Sequence, residues 1–439
     1  MSSATGAEAA KTGRSLGLGT ATGLVVASMI GTGVFTTTGL LVPLVRSPLG
    51  ILLCWLVGGV AALCGALSYA ELGAALPSNG GEYHFLSRLY HPSLGFLSAF
   101  ASFVVGFSAP LAAGALAFGE YFAAFVPSAP PKLVGALLVA GLSALHLWRV
   151  SAGTGFQNVF TAGKVALIVA FIVALSLRGD PARLGLGSGS ALAAVVSPGF
   201  AIGLLLVSFA YTGWNAASYV AGEIDRPSRV LPLALAIGTA LVTLLYLGLN
   251  AVFLAAAPLP LLSGEVKVGH VAALQLLGPA GAKILSAVVM LGLVSMVGAV
   301  IITGPRVYEA LGADFARLRF LSRRRPGGGP TVAIVLQAIV ALCMMLTASF
   351  EALLIYIGFT LSLFAALAVC GVFLLRRRRD IERPFSTPGY PATPLVFVAL
   401  MAWMVIHAVV QRPLVAAAGG ATVLCGAVAY LAGRSGRPT

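Results

Sequence analysis

Apolar residues run along this chain in long stretches, broken by short polar or Pro/Gly-rich connections. Read with a window of about 19 residues, the pattern predicts twelve apolar helices, over residues 16–44, 48–75, 94–126, 132–149, 155–177, 195–222, 231–257, 279–310, 331–348, 352–375, 392–410 and 413–432. Pro127-Ser128-Ala129-Pro130-Pro131, Pro258 to Pro260 and Arg325-Pro326-Gly327-Gly328-Gly329-Pro330 mark connections, the last expected to be flexible. Gly179 to Ser190 is a further Gly/Ser-rich connection without the spacing of a dinucleotide or phosphate loop.

Composition turns this pattern into a class. Of 439 residues, 59% are apolar and 9% charged, with a mean hydropathy of +0.99. A soluble domain carries about 25% charged residues, so a water-soluble globule is excluded. A membrane-spanning helix needs about 20 apolar residues, and the chain reads as one all-α polytopic membrane protein.

The net charge of +14 would suggest nucleic acid in a soluble protein, but its placement argues otherwise. With the N-terminus assigned to the cytoplasm, 19 of the 27 Lys and Arg fall on the cytoplasmic side and 7 on the other, with Lys164 inside a span. That bias obeys the positive-inside rule. It predicts a multi-pass protein of the cell (inner) membrane with cytoplasmic tails at 1–15 and 433–439 and no nucleic-acid partner. The run Arg376-Arg377-Arg378-Arg379 then reads as an anchor at the anionic leaflet of the bilayer. Met1 to Ser15 is small and polar, without the apolar run of a cleaved signal, so the first span is the targeting signal.

Chemistry-bearing patterns are few. The cysteines, Cys54, Cys64, Cys343, Cys370 and Cys425, lie in apolar stretches without CxxC or metal-ligand spacing. The histidines, His84, His91, His146, His270 and His407, form no HExxH pattern. Gly163-Lys164 is followed by Val165, so the phosphate-loop pattern fails, and Gly187-Ser188-Gly189-Ser190 is no nucleophile elbow. These readings predict no enzyme, no cofactor and no metal site.

Two spans do not read as plain helices. The first holds Ser28-Met29-Ile30-Gly31-Thr32-Gly33-Val34-Phe35, in which two glycines flank a threonine at mid-depth. Each glycine lowers helix propensity by about 1 kcal/mol relative to alanine. A break here would create a half-helix N-terminus, whose free N–H groups and positive dipole end suit a carboxylate. Close helix packing through small residues is the alternative. The sixth span crowds Phe209-Ala210-Tyr211-Thr212-Gly213-Trp214-Asn215 around one glycine. Gly33 and Gly213 are 180 residues and five spans apart. Corresponding interrupted helices in two halves of a chain point to a transporter site near the bilayer midplane, and an odd repeat of five spans puts the halves in opposite topology.

Lys164 is the one basic residue placed well inside a span, where a charge usually marks function. Three readings stay open: a tether donating to loose carbonyls at the broken first helix, a proton carrier, and a side chain snorkelling to the interface. Glu71, Glu82, Glu223, Asp225 and Arg229 lie near cytoplasmic ends and read as caps or loop salt bridges, with a cytoplasmic gate as the alternative. Glu120, toward the external end of the third span, is a solvated face or an external gate. Glu351 reads as solvated in an external loop.

Four stretches carry a family resemblance: Met29-Ile30-Gly31-Thr32-Gly33-Val34-Phe35; Tyr69-Ala70-Glu71-Leu72-Gly73 through Pro77 to Gly80-Gly81-Glu82-Tyr83; Phe209 to Asn215 followed by Gly222-Glu223-Ile224 and Pro227; and Gly304-Pro305-Arg306-Val307-Tyr308. In this order and spacing the chain resembles permeases of the amino acid-polyamine-organocation (APC) superfamily, close to the L-type amino acid transporters, over nearly its whole length. The resemblance implies 12 transmembrane helices in a 5+5 inverted repeat of the LeuT-like fold plus two C-terminal helices. The repeats would span 16–178 and 195–376, with the last two helices at 391–432.

The resemblance also implies a site. The substrate carboxylate would sit on backbone N–H groups at Gly31, Thr32 and Gly33. Its α-amino group would sit on carbonyls at Phe209, Ala210 and Tyr211, next to the Gly213 turn, with a contribution from Met29 and Ile30. Phe209 resembles the outer gate, and Asn215 matches an amide lining the pocket. Lys164 falls where sodium-independent members carry a lysine in place of a sodium ion. Val126 to Lys132 lacks the cysteine that links L-type light chains to a heavy subunit, so no disulfide-linked partner is expected.

Because none of the break residues is acidic, and an unpaired buried charge is costly, a neutral amino acid is the expected substrate. A cationic amino acid or a polyamine is the alternative within the superfamily, and a channel or sensor is the remote one. Ser295 and Gly298 could admit bulk from the eighth span. Obligatory exchange and proton symport both stay open, so protons remain a candidate partner beside the amino acid and the lipid bilayer.

Overall fold

The computed structural model describes residues 16–148, 154–185, 194–314, 316–323 and 330–434. The N-terminal tail, most of the C-terminal tail, the Gly187 to Ser190 stretch and the Pro326 to Gly329 loop lie outside the described residues. Among the described residues the chain is helical, and its β pairing is a lone bridge between Leu16 and Ile224.

The first predicted span is two helices, α1 (Leu18–Met29) and α2 (Gly33–Val45), bent by 42° across a three-residue break. Next come α3 (Pro48–Ala75), the short α4 (Glu82–Leu89) and α5 (Pro92–Ala101), which passes through a π segment, Ser102–Ser108, into α6 (Ala109–Phe122). Helices α7 (Pro131–Trp148) and α8 (Thr154–Ser176) complete the first half. The second half holds α9 (Pro198–Tyr211), a 3₁₀ stretch at Ala216–Glu223, α10 (Pro227–Ala256), α11 (Val268–Asp314), α12 (Thr331–Thr347) and α13 (Phe350–Arg377). Helices α14 (Ala392–Gln411) and α15 (Pro413–Arg434) follow.

Local chemistry sets several of these boundaries. Ser47, Ser197 and Ser349 each cap a helix by accepting the N–H of the residue three positions on. Proline follows Ser47 and Ser197 at the first helical position, where its missing N–H is harmless. Gly278, at φ +72°, kinks α11 just before Pro279, where the sequence places the start of the eighth span. The π segment leaves the Phe103 carbonyl accessible, and Tyr308 of the Gly304–Tyr308 motif donates to it at 3.0 Å.

Among the described residues, eight helical segments are long and apolar enough to cross a membrane, or nine counting the bent pair α1–α2 as one span. Pro131–Leu147, Ala162–Ala174 and Thr331–Thr347 are shorter and also apolar. Leu137, Leu177, Leu244, Ile284 and Leu414 are exposed on the outside of the bundle, as an apolar solvent requires. Inside, α10 packs on α3 and α1, and α9 on α2 and α13, which brings the α1–α2 break beside the end of α9.

Two charged residues behave differently from the sequence expectation. Arg376 does not join the lipid-facing anchor: its Nε and Nη2 each donate at 2.8 Å to the buried Glu71 carboxylate, which also accepts the Thr387 N–H at 2.7 Å. The guanidinium lies 3.6 Å above the Tyr390 ring. A planar fork fits a carboxylate in two parallel bonds, so Arg376 ties α13 to α3, while Arg377 to Arg379 are exposed. Glu351 is not simply solvated either, since Arg412 Nη2 donates to it at 2.6 Å.

Candidate functional site

The break between α1 and α2 has the geometry of an anion site. No side chain caps the first turn of α2. Thr32 is 1% exposed, and its hydroxyl has no hydrogen-bond partner among the described residues. Over Gly31 the space is open: an added Cβ would meet nothing within 4 Å. Unpaired N–H groups at the positive end of a 13-residue helix, beside an orphaned buried hydroxyl, suit a carboxylate.

Gly33 has a different reason for being glycine. A Cβ there would run into the Cα and Cβ of Ala210, so Gly33 lets α2 approach α9. The packing reading thus falls to Gly33, while Gly31 faces open space.

The second break begins at Thr212, whose N–H and hydroxyl both return to the Phe209 carbonyl, at 3.0 and 2.6 Å. Gly213 follows at φ +99°, and a Cβ on it would lie 2.7 Å from the Ser28 backbone. Only glycine combines that left-handed turn with so close an approach. The carbonyls expected to face an ammonium group already hold partners. Tyr246 of α10, which the sequence reading missed, places its hydroxyl 2.6 Å from Met29 O and 3.1 Å from Ala210 O, so one phenol ties the two breaks together. The Tyr211 carbonyl accepts from Trp214 N–H at 3.4 Å. Each carbonyl has two lone pairs, so Met29, Ala210 and Tyr211 keep acceptor capacity for an ammonium, whereas the Phe209 carbonyl, expected to share in it, is filled by its two bonds from Thr212. The signal for Tyr246 in the sequence is a lone tyrosine in an aliphatic helix, which nothing local connects to residues 29 and 210.

Behind the breaks the rings of Trp55, Tyr211 and Tyr246 pack with centroids 5.2 to 6.0 Å apart. Trp55 Nε1 donates to Thr38 Oγ1 at 3.1 Å, and Thr38 in turn bonds the buried Asn250 side chain. Phe209 is 4% exposed.

Lys164 reaches Ile30 O with its Nζ at 3.5 Å, the long end of hydrogen-bond distance. This places the ammonium at the free carbonyl end of α1, the arrangement of the tether reading. Lys164→Ala is expected to weaken substrate affinity about tenfold to a hundredfold, equivalent to about 1.5–3 kcal/mol for one charge-assisted hydrogen bond. Binding titration of the purified variant checks this, and an unchanged affinity would remove the tether.

Asn215 sits on the far side of the break from this cluster. Its Nδ2 donates to Glu82 Oε1 at 3.0 Å, so its amide is engaged with α4. Glu82 itself makes neither a cap nor a loop salt bridge: it is 6% exposed and also accepts from Tyr69 at 2.7 Å. Glu223 bonds Asn79 Nδ2 at 2.9 Å, and its carbonyl accepts the Leu16 N–H at 3.1 Å.

Comparison with known proteins gives the chain a family. The family model described as amino acid permease matches residues 16–424. The serine/threonine exchanger SteT of Bacillus subtilis is 30% identical over 88% of this chain and 89% of its own. The large neutral amino acids transporter small subunit 2 of Rattus norvegicus is 30% identical over 96% of this chain and 80% of its own. The b(0,+)-type amino acid transporter 1 of Homo sapiens is 28% identical over 91% and 83%. With a broken first helix, a matching break after α9 and a family match along nearly its entire length, the chain belongs to the amino acid permease family.

Proposed function

We propose that this permease is a sodium-independent exchanger of neutral L-amino acids in the cell membrane, with both termini in the cytoplasm and working by alternating access. The observation that carries the reading is the α1–α2 break, with its uncapped helix start, orphaned Thr32 hydroxyl and open space over Gly31. The substrate carboxylate binds the N–H groups of Gly31 to Gly33. Its ammonium binds the second lone pairs of the carbonyls at Met29, Ile30, Ala210 and Tyr211, while the Phe209 carbonyl is taken up by Thr212 and the Phe209 ring closes the site outward. Because no break residue is acidic, the side chain carried is uncharged.

Twelve spans among the described residues fit this architecture: the eight long apolar segments, the bent pair, and the three shorter apolar helices. Corresponding breaks at residues 30–32 and 212–215 support inverted repeats at 16–178 and 195–376, followed by two further helices at 391–432. Exchange is favoured over symport by Lys164, whose ammonium is engaged with a carbonyl of the broken helix, and by likeness to a serine/threonine exchanger.

Purified protein in liposomes is expected to take up labelled serine, threonine or leucine only when an unlabelled amino acid is inside. Uptake into empty vesicles driven by an inward proton gradient would instead establish a symporter.

A further inference from the structure

Glu82 is a buried carboxylate that the transport reading does not use. It opens α4, between two membrane-spanning helices, and is 6% exposed. Two neutral donors converge on it from two other elements: Tyr69 on α3 at 2.7 Å and Asn215 at the second break at 3.0 Å. Among the described residues no cation pairs with it. Arg376, on the neighbouring α13, is held bidentately by Glu71. Its other titratable neighbours are Tyr219, whose hydroxyl lies 3.5 Å from Asn215 Nδ2, and Tyr83, His84 and Arg88 on its own helix.

This cluster lies beneath a seam that closes one end of the molecule. Leu16 pairs with Glu223 and Asp225 through backbone bonds of 3.1 and 3.0 Å. Asn79 bonds both Glu223 and Gly222, and the Gly80 N–H reaches Tyr219 O at 3.0 Å. The segment after the second break is thereby fastened to the α3–α4 connection. In the proposed topology this is the cytoplasmic end. For substrate to leave on that side, the segment carrying Asn215 must part from α4, and water must then reach Glu82.

We propose that the Glu82 carboxyl is a proton-binding site that holds its proton while the cytoplasmic end is closed and gives it up to cytoplasmic water when that end opens. This inference rests on the alternating-access reading above. The step is a simple dissociation: the O–H bond of the carboxyl breaks, the electron pair stays on the carboxylate, and the proton passes to water. No route from the opposite side is required, so an exchange cycle binds and releases the proton on the same side and moves none across the membrane.

The direction follows from linkage. Burial pushes the Glu82 carboxyl above its ordinary value in the closed form, against the pull of its hydrogen bonds from Tyr69 and Asn215. In the open, hydrated form it returns to the ordinary carboxylate range. The closed form therefore binds the proton more tightly, and lowering the pH favours closure. Between the two values opening becomes harder by up to about tenfold per pH unit, the limit for release of one proton.

The test is exchange of labelled amino acid by reconstituted protein, with the same pH on both faces stepped from neutral down to the ordinary carboxylate range. Wild type is expected to slow by up to about tenfold per pH unit. Glu82→Gln, which keeps the acceptor oxygen but cannot ionise, is expected to exchange at the slow, low-pH rate at every pH. A Glu82→Gln profile that follows wild type, or a wild-type rate indifferent to pH, would overturn the proposal. Absence of exchange at every pH would instead count against the transport reading. Should Glu82→Gln not fold, infrared titration decides. A carboxylic-acid carbonyl band that fades above the ordinary carboxylate range in wild type, and moves in Glu82→Asp, supports the site; absence of such a band overturns it.

Discussion

Gly31→Leu is expected to abolish amino acid binding while leaving the fold intact. The two halves of this expectation come from the same observation. Nothing lies within 4 Å of the Cβ position at Gly31, so a Cβ there meets no packed neighbour, unlike one at Gly33. The space it fills is the space over the uncapped start of α2, where the carboxylate would lie. Losing two charge-assisted hydrogen bonds, each worth about 1.5–3 kcal/mol, weakens binding by at least about a hundredfold. Gly33→Leu provides the contrast: its Cβ would enter the Ala210 backbone, so it is expected to disturb the α2–α9 contact and lower thermal stability together with binding. Binding titration and thermal unfolding in detergent, done on both variants, separate the roles. Retained affinity in a folded Gly31→Leu protein would remove the carboxylate from the first break.

The largest loss of stability is expected at Glu71. Its side chain is 0% exposed and accepts three hydrogen bonds, two from Arg376 and one from the Thr387 N–H. Glu71→Ala leaves a guanidinium and a backbone donor without their acceptor, in a place where water does not replace it. Breaking a buried pair from one side costs about 3–5 kcal/mol, a large part of a membrane domain's margin. A marked drop in the unfolding temperature in detergent, or failure to purify folded protein, is the expected result. Stability equal to wild type would mean that the pair contributes nothing to the closure of α3 on α13. Glu71→Gln retains an acceptor oxygen and is expected to lose less.

Much of the architecture was legible in the sequence. The broken first span, the break after Tyr211 and the start of the eighth span at Pro279 appear where Gly and Pro interrupt apolar runs. These are local features, since backbone propensity and a missing N–H act within one turn. The site was only partly legible. Gly31 and Gly33 look alike in the sequence, and only the position of Ala210 tells packing from open space. Asn215, matched by resemblance to a pocket amide, is engaged with Glu82, and Tyr246 went unnoticed although it joins both breaks. Arg376 looked like the head of a basic run and proved to be the partner of Glu71.

The sequence by itself determined which segments are apolar enough for a bilayer and where they break. In lipid a helix must satisfy its backbone within the segment, so length and composition suffice to mark it. Tertiary structure alone decided the partners of the polar side chains. Arg376 meets Glu71 across 305 residues, Tyr246 meets Met29 across 217, and Asn215 meets Glu82 across 133. A buried polar group must find a partner, but which one it finds depends on how the helices pack, and no local pattern encodes that choice.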